Sequence, residues 1–469
     1  MVERRQIAIA GAQAVFDSGE FLTVLDRLIG YRTESQPPPR PAALRRYLTE
    51  GVGPILEGMG FSCRVVENRV SPDHPALIAT RMEDPSAPTL LMYGHADVQF
   101  AYPKQWRVGL DPWRVCVEGD RWYGRGVADN KGQHLINIMA LRQAIESRDG
   151  SLGFNVRMLV ETGEEAGSPG LDALCADAAQ ELAADLFIGS DGPRLAADRP
   201  TVFLGSRGVA NFSLTLALRE GGHHSGNWGG LLRNPATILA NAIASMVDRT
   251  GRILVPELRS GPIPEAVRRV VADLTPGQDG PGVDAGWGEP GLSPAERVFA
   301  ANTLEVLALG AGDIDGPVNA IPGAARAHCQ LRFVPGLDPA AIGPALRRHL
   351  DAHGFEAVQV EVSAAMVATG LDPDNPWVAF AEQSLRRTTG LTPALLPGIG
   401  GSLPNAPFAH TLRLPTIWIP HSYPGCSQHA PNEHLPAGLI RESLAVMAGV
   451  FSDLADLPDW PAPPKGMPS

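Results

Sequence analysis

The chain has 469 residues, and its 51 Asp and Glu outnumber its 39 Lys and Arg, which gives a formal net charge of −12. This acidic surplus argues against nucleic acid as a partner, because phosphate backbones are bound through cationic surfaces. No apolar run approaches the ~18 residues that a membrane span needs, so no membrane partner is expected. The five cysteines show no C-x-x-C spacing and residues 1–16 are a poor signal peptide, so we expect a cytoplasmic protein.

Short apolar runs alternate with helical patterns in two stretches of the chain. The first stretch has apolar runs at 89–92 (TLLM), 155–160 (NVRMLV) and 186–188 (LFI), with apolar residues at helical spacing over 131–145. The second stretch has the run 416–419 (TIWI), which follows a helical pattern near 376–387. This alternation predicts an α/β fold with a largely parallel sheet.

Between these two stretches the pattern changes. Residues 212–218 (FSLTLAL) and 328–334 (HCQLRFV) alternate as half-exposed strands do, and helical patterns cover 235–247 and 339–353. We therefore expect an open-faced α+β domain over 208–363. It would be inserted into a first domain made of 1–207 and 364–469.

Four loops that follow predicted strands each carry a good metal ligand. The ligands are imidazoles or carboxylates, namely His95, the pair Glu164 and Glu165, Asp191, and His429. A fifth segment, G-R-G-V-A-D-N-K-G, places Asp129 directly before a predicted helix. Ligands of open α/β sheets bind outside the carboxyl ends of the strands, so these side chains are expected to converge.

Each of these residues also has an ordinary structural interpretation. Asp129 and Asn130 could cap the following helix, and Asp191 could belong to a turn. The adjacent Glu164 and Glu165 favour a metal, since two such carboxylates repel each other unless a cation lies between them or one is protonated. Imidazoles and carboxylates without cysteine suit zinc, manganese or cobalt in an open catalytic site.

Five ordered motifs of the chain resemble the M20 family of dinuclear metallopeptidases. They are L-M-Y-G-H-A-D-V-Q, W-Y-G-R-G-V-A-D-N-K-G, E-T-G-E-E-A-G-S, G-S-D-G-P and S-Q-H-A-P-N-E. The Y-G-H-x-D-V-Q and W-Y-G-R-G forms are most similar to the carnosinase-type dipeptidases. The resemblance implies a zinc-peptidase-like catalytic domain over 1–207 and 364–469, with 208–363 as an inserted lid and dimerisation domain.

The resemblance also implies two divalent metal ions per chain, with zinc expected and manganese or cobalt as alternatives. One ion would be bound by His95 and Asp191, and the other by Glu165 and His429. Asp129 would bridge the two ions.

Further motif residues have implied roles around these ligands. Asp97 would orient the His95 imidazole, and Glu164 would act as general base. The Asp129–Asn130 peptide bond is expected to be cis, as it often is in this family. Lys131 occupies the family's Lys-Gly pair and is one of three lysines in the chain, which favours a specific role.

The inserted domain matches the family at residues that would contact the substrate. In G-H-H-S-G, His224 aligns with the histidine that reaches the substrate, often from the partner subunit of a homodimer, and His223 is the alternative. Arg332 would bind a substrate carboxylate or, in the other interpretation, be a solvated strand residue. The other implied substrate-binding residues are Asn319, Gly401 and Ser402.

The implied function is hydrolysis of dipeptides or similar small substrates that have a free carboxylate. A hydroxide held between the metal ions would attack the amide, Glu164 would move the proton, and one metal ion and His224 would stabilise the oxyanion. An N-acyl-amino-acid deacylase or desuccinylase, or a carboxypeptidase, is the alternative on the same scaffold. A non-catalytic binding protein is disfavoured, because the complete ligand set and Glu164 are present.

Overall fold

The computed structural model describes residues 2–277 and 282–461, and the chain divides into two compact units. The first unit comprises 1–205, 371–396 and 403–469, and the second comprises 206–370 and 397–402. The region 208–363, expected to be inserted, therefore lies within the second unit. That unit also takes in 397–402, which the expected boundaries give to the other domain.

Among the described residues up to 206, four α-helices come first and five strands follow, and the remaining helices and strands come after them. The helices are α1 (Val2–Asp17), α2 (Glu20–Ile29), α3 (Pro41–Arg46), α4 (Gly53–Glu57), α5 (Lys131–Glu146), α6 (Leu171–Asp177) and α7 (Ala179–Leu182). The strands are β1 (Ser62–Val66), β2 (Ala76–Arg81), β3 (Thr89–His95), β4 (Cys116–Glu118), β5 (Arg121–Tyr123), β6 (Asn155–Glu161), β7 (Leu186–Gly189), β8 (Thr201–Phe203) and β9 (Gly205–Ser206).

The rest of the chain forms the second unit and then returns to the first. The second unit has strands β10 (Gly208–Ala217), β11 (His223–His224), β12 (Thr303–Gly310), β13 (Ala320–Ile321), β14 (Ala324–Phe333), β15 (Gln359–Met366) and β16 (Thr369–Gly370). Its helices are α8 (Ser225–Trp228), α9 (Pro235–Met246), α10 (Glu265–Val271), α11 (Pro294–Phe299) and α12 (Pro339–Ala352). The returning chain forms α13 (Pro376–Thr389), β17 (Ala394–Leu396), β18 (Thr416–Trp418), β19 (His434–Pro436) and α14 (Ala437–Ala455).

An eight-stranded sheet forms the centre of the first unit, in the order β1-β2-β6-β3-β7-β18-β8-β17. Its central pairs β6–β3, β3–β7 and β7–β18 are parallel, whereas β1 and β2 pair antiparallel at one edge. Every residue of β3 is buried, as expected of a parallel strand covered on both faces by helices. The prediction of an α/β fold with a largely parallel sheet is confirmed.

The second unit contains a four-stranded antiparallel sheet in the order β12-β14-β10-β15. Burial alternates along β14, because one face packs on a core while the other stays open. Helices α9 and α12 contact this sheet and share a separate apolar core with it. Within the described ranges, no helix combines the length and the apolar character needed to cross a membrane.

Candidate metal centre

Four parallel strands bring their carboxyl ends to one edge of the large sheet. His95 is the last residue of β3, and Asp191 lies two residues beyond β7. Glu164 and Glu165 begin a short 3₁₀ turn after β6, and His429 lies in the longer loop after β18. The convergence expected from the sequence follows from the parallel order of these strands.

Asp129, which lies just before α5, stands between two imidazoles. Its Oδ1 atom is 3.1 Å from Nε2 of His95, and its Oδ2 atom is 3.0 Å from Nε2 of His429. Nε2 of His95 is also 3.6 Å from Oδ2 of Asp191. Nε2 of His429 is 3.2 Å from Oε2 of Glu165. Each oxygen of Asp129 thus faces a different group of ligands.

These contacts define two groups that could each hold a metal ion. The first is His95, Asp129 and Asp191, and the second is Asp129, Glu165 and His429. Within each group the ligand atoms lie within 4.8 Å of one another. The structure therefore brings together all five residues expected to bind metal, and Asp129 belongs to both groups.

Asp97 connects the first histidine to the glutamate pair. Nδ1 of His95 lies 3.1 Å from the backbone carbonyl oxygen of Asp97 and 3.3 Å from its Oδ1 atom. The same carboxylate accepts hydrogen bonds from the backbone N–H of Glu164 at 3.3 Å and of Glu165 at 3.0 Å. Asp97 therefore contacts the His95 imidazole and also binds the loop that carries both glutamates.

Glu164 lies beside the two groups without belonging to either. Its Oε2 atom is 3.9 Å from Nε2 of His95, and its side chain is 17% exposed. Burial raises the pKa of Glu164 well above its usual range, and the negative charges of Asp191 and Glu165 add to this effect. A carboxylate beside both ligand groups is placed as a candidate general base.

The other carboxylates of the cluster are also disfavoured in their charged forms. Burial and the charge of Asp129 raise the pKa of Glu165 well above its usual range. The same two causes raise the pKa of Asp191 to about 6. Asp129 is the exception, because hydrogen bonds from His429 and His95 outweigh its burial and lower its pKa. The donors are nitrogen and oxygen atoms, and all but the exposed His429 are buried or partly buried. The repulsion between their carboxylates makes the set fit divalent cations.

The segment after Asp129 is fixed by buried hydrogen bonds. The Asp129–Asn130 peptide bond is cis, as expected, and the Asn130 amide donates to the carbonyl of Ser190 at 2.7 Å. Lys131 is fully buried, and its ammonium donates to the carbonyl oxygens of Leu28 and Tyr31 at 3.1 and 2.6 Å. These contacts indicate that Lys131 anchors the start of α5.

Two glutamines that received no role from the sequence contact the ligands. Nε2 of Gln99 donates to Oε2 of Glu165 at 2.8 Å, and Nε2 of Gln428 lies 3.3 Å from Oδ2 of Asp129. Both residues stand inside the motifs D-V-Q and S-Q-H. Their position in these motifs indicated that they lie near the ligands. The sequence does not show which carboxylate each glutamine contacts.

The second unit brings together two of its predicted residues near β11 and β13. His224 is exposed, and its Nδ1 atom accepts a hydrogen bond from the backbone N–H of Gly226 at 3.2 Å. The adjacent Ser225 donates its backbone N–H to the carbonyl of Asn319 at 2.9 Å. The ring of His223 instead packs edge-on against Trp228, with 6.3 Å between centroids.

Arg332 and Ser402 form a second pair in this unit. Nη1 of Arg332 donates to Oγ of Ser402 at 2.9 Å, and Gly401 is exposed beside it. Nε of Arg332 donates to Oε1 of Gln330 at 2.9 Å. Among the described residues, no carboxylate forms an ion pair with Arg332. Its charge is therefore available to an anion.

Comparison with known proteins agrees with these motifs and this geometry. Residues 91–455 match the family model described as Peptidase family M20/M25/M40. The chain belongs to this family. The resemblance read from the five motifs is therefore confirmed.

Two relatives of this M20 chain are dipeptidases. The Beta-Ala-His dipeptidase of Rattus norvegicus is 26% identical, with 95% of each chain covered. The Cysteinylglycine-S-conjugate dipeptidase of Corynebacterium striatum is 30% identical, over 74% of this chain and 76% of the relative. Among solved structures, an M20 family metallo-carboxypeptidase from Sulfolobus solfataricus has a TM-score of 0.77 at 23% identity, covering 93% of this chain and 100% of that one. This last likeness shows the fold.

Substitutions of Asp129 and His429 should have different effects on metal content. We expect Asp129→Ala to lose both ions and His429→Ala to lose one, because Asp129 belongs to both ligand groups. Metal per chain would be measured by atomic emission after reconstitution with zinc, with the exposed Asp177→Ala as control. Two ions retained by Asp129→Ala would contradict a shared ligand.

Proposed function

We propose that this M20 peptidase hydrolyses dipeptides, or similar small substrates with a free carboxylate, with two divalent metal ions. The proposal is carried by the position of Asp129, whose two carboxylate oxygens face separate ligand groups. Glu164, which belongs to neither group, lies beside them. The two dipeptidase relatives described above support the substrate class.

The residues of the two groups would hold the ions. The first would bind to His95, Asp129 and Asp191, and the second to Asp129, Glu165 and His429. Zinc is proposed first, with manganese or cobalt as alternatives, because the donors are nitrogen and oxygen only. When bound, two such ions would polarise an amide carbonyl and lower the pKa of a bound water.

Glu164 would carry the proton during hydrolysis. Its carboxylate accepts a proton from the attacking water and then delivers it to the leaving amine nitrogen, so the amide bond breaks with no net change at the enzyme. Its raised pKa brings the carboxylate closer to the pH at which such a transfer is efficient in both directions. The hydrogen bond from its backbone N–H to Asp97 holds the base in place.

His224 is proposed to stabilise the oxyanion. Its Nδ1 atom accepts a hydrogen bond from Gly226, so the proton of a neutral imidazole is on Nε2. That atom can donate to the carbonyl oxygen as negative charge develops there. The choice of His224 over His223 is supported by the packing of His223 against Trp228.

Arg332 is proposed to bind the free carboxylate of the substrate. Gln330 and Ser402 hold two of its donors, and Nε2 of Gln330 in turn donates to Oδ1 of Asn211 at 2.8 Å. This chain of neutral partners fixes the guanidinium without neutralising it. A fixed guanidinium binds a carboxylate through parallel hydrogen bonds.

We also propose a homodimer formed through the second unit, in which His224 acts on the partner's site. Strand β12 lies at the edge of its sheet and exposes Val306, Leu307 and Leu309 at 38, 60 and 49%. An apolar edge strand favours pairing with a second chain. A second copy of this chain is the proposed partner, because an edge strand can pair with the same strand of an identical chain.

A cytoplasmic location is proposed on the state of the cysteines. Cys63, Cys116, Cys175, Cys329 and Cys426 are all free thiols. Structural disulfides persist in oxidising compartments and are rare in the cytosol. The free thiols therefore support a reducing compartment.

Glu164→Ala should abolish hydrolysis while leaving the metal content unchanged. Loss of a general base costs about 10²–10⁴-fold in rate, and Glu164 belongs to neither ligand group. Turnover of dipeptides and of N-acyl amino acids by zinc-, manganese- and cobalt-loaded enzyme would be compared with Glu181→Ala, an exposed glutamate on α7. Substantial turnover by Glu164→Ala would refute the mechanism. A preference of the wild-type enzyme for N-acyl amino acids over dipeptides would contradict the dipeptidase assignment.

Gln330→Glu should weaken binding of substrates with a free carboxylate. The new carboxylate would pair with Arg332, so we expect KM to rise about tenfold or more, equivalent to roughly 1.4 kcal/mol, with a smaller change in kcat. A dipeptide amide should be hydrolysed as before, and the exposed Gln359→Glu on the same sheet serves as control. Equal effects on the free and amidated substrates would show that Arg332 does not bind the carboxylate.

Leu307→Lys should dissociate the dimer and lower activity, because it places a charge on the apolar edge of β12. Sedimentation velocity would measure the mass of the assembly, with Leu391→Lys, an exposed leucine of the first unit, as control.

To test whether His224 acts across subunits, inactive Glu164→Ala and His224→Ala chains would be mixed. About a quarter of the activity should return, since half of the dimers are then mixed and each has one complete site. A monomeric wild type, or no recovery on mixing, would contradict this arrangement.

A further inference from the structure

Glu433 closes the last of the five motifs and has a fully buried carboxylate. Its Oε1 atom accepts hydrogen bonds from the backbone N–H groups of Ala128 at 2.9 Å and Asp129 at 3.0 Å. Both of its oxygens lie 3.1 Å from the backbone nitrogen of Gly126. One side chain thus binds three N–H groups of the segment that ends in the shared ligand.

Arg125 completes the environment of this carboxylate. Nη1 of Arg125 donates to Oε2 of Glu433 at 2.6 Å, and the two side chains are 1% and 0% exposed. Nη2 of Arg125 donates to the carbonyl oxygens of Phe100 at 3.2 Å and Ala430 at 3.1 Å. Ala430 directly follows the ligand His429. The ion pair therefore holds the segment of Asp129 and the segment of His429 together.

The two segments also leave a common small sheet. Strands β5 and β19 pair antiparallel, with Tyr123 opposite His434, and the backbone N–H of Gly124 donates to the carbonyl of Glu433 at 3.1 Å. From this point one segment runs on to Asp129, while the other runs back to His429. Glu433 and Arg125 add buried contacts between the two segments beyond this small sheet.

We propose that Glu433, paired with Arg125, is the positioning residue that sets Asp129 and His429 at the spacing needed for the second metal ion. The inference rests on the proposed function, since it concerns the ligands named there. Glu433 touches no ligand side chain in the contacts described above. It acts through the backbone of Asp129 and, by way of Arg125, through the residue next to His429.

The substitution Glu433→Gln tests this role with little change in size. A glutamine amide would turn an N–H group toward either Arg125 or the N–H groups of the Asp129 segment, so at least one contact becomes repulsive. We expect the affinity for cobalt(II) and zinc to fall about 10–100-fold, as it does when groups that orient metal ligands are changed. The visible absorption spectrum of the cobalt(II) form should change as well.

A matched control separates positioning from general stability. Asp453 is another buried carboxylate of the first unit, paired with Arg5 at 2.9 Å and held by Ser384 at 2.6 Å. Asp453→Asn should lower the melting temperature of the metal-free protein. It should leave the metal affinity and the cobalt(II) spectrum as in the wild type.

Arg125→Lys provides a second variant if Glu433→Gln does not fold. It keeps a positive charge against Glu433 but loses the fork that also reaches Phe100 and Ala430, so a smaller loss of metal affinity is expected. Wild-type metal affinity in folded Glu433→Gln, or in Arg125→Lys where that is the folded variant, would overturn the inference. A wild-type protein that binds no metal would instead overturn the proposed function, and this inference with it.

Discussion

Buried carboxylates crowd around Asp129, and compensating their charge is the requirement on which the rest of the site depends. Burial and mutual repulsion raise the pKa of Glu164, Glu165 and Asp191. The histidines stabilise Asp129, but they cannot serve all four acids at once. Bound divalent cations are often the largest local charges in a site. Their attraction for the carboxylates would outweigh the repulsion between these groups. The acidic cluster is thus costly to the metal-free fold and useful to the loaded enzyme.

Hydrogen bonds to the backbone around the cluster oppose this repulsion. The carboxylates of two further buried acids accept hydrogen bonds from backbone N–H groups. Asp97 holds the loop of the glutamate pair in this way, and Glu433 holds the segment of Asp129. Hydrogen bonds to a charged acceptor are stronger than neutral ones. The loops that carry the ligands are therefore tied down at points where side-chain repulsion would otherwise push them apart.

The central strands, the convergence of the five expected ligand residues and the family could be predicted from sequence, because each depends on local patterns. The runs at 89–92, 155–160, 186–188 and 416–419 became β3, β6, β7 and β18, and parallel order then brought their loops together. Glu433 was visible only as the end of a motif. Its partner Arg125 lies 308 residues away, and no local pattern specifies such a pairing. Lys131 stood out for its rarity, but only its carbonyl partners indicate what it does.

Uncompensated charge is distributed differently in the two units, and this bears on substrate choice. In the first unit, carboxylates cluster around Asp129. In the second unit, the charged Arg332 is held by the neutral Gln330 and Ser402. A carboxylate-binding arginine favours dipeptides and N-acyl amino acids equally, because both end in a free carboxylate. In the proposed mechanism, the metal groups act on the amide that both substrates share. Discrimination between them must therefore arise where a dipeptide presents its ammonium group and an N-acyl amino acid presents an uncharged chain.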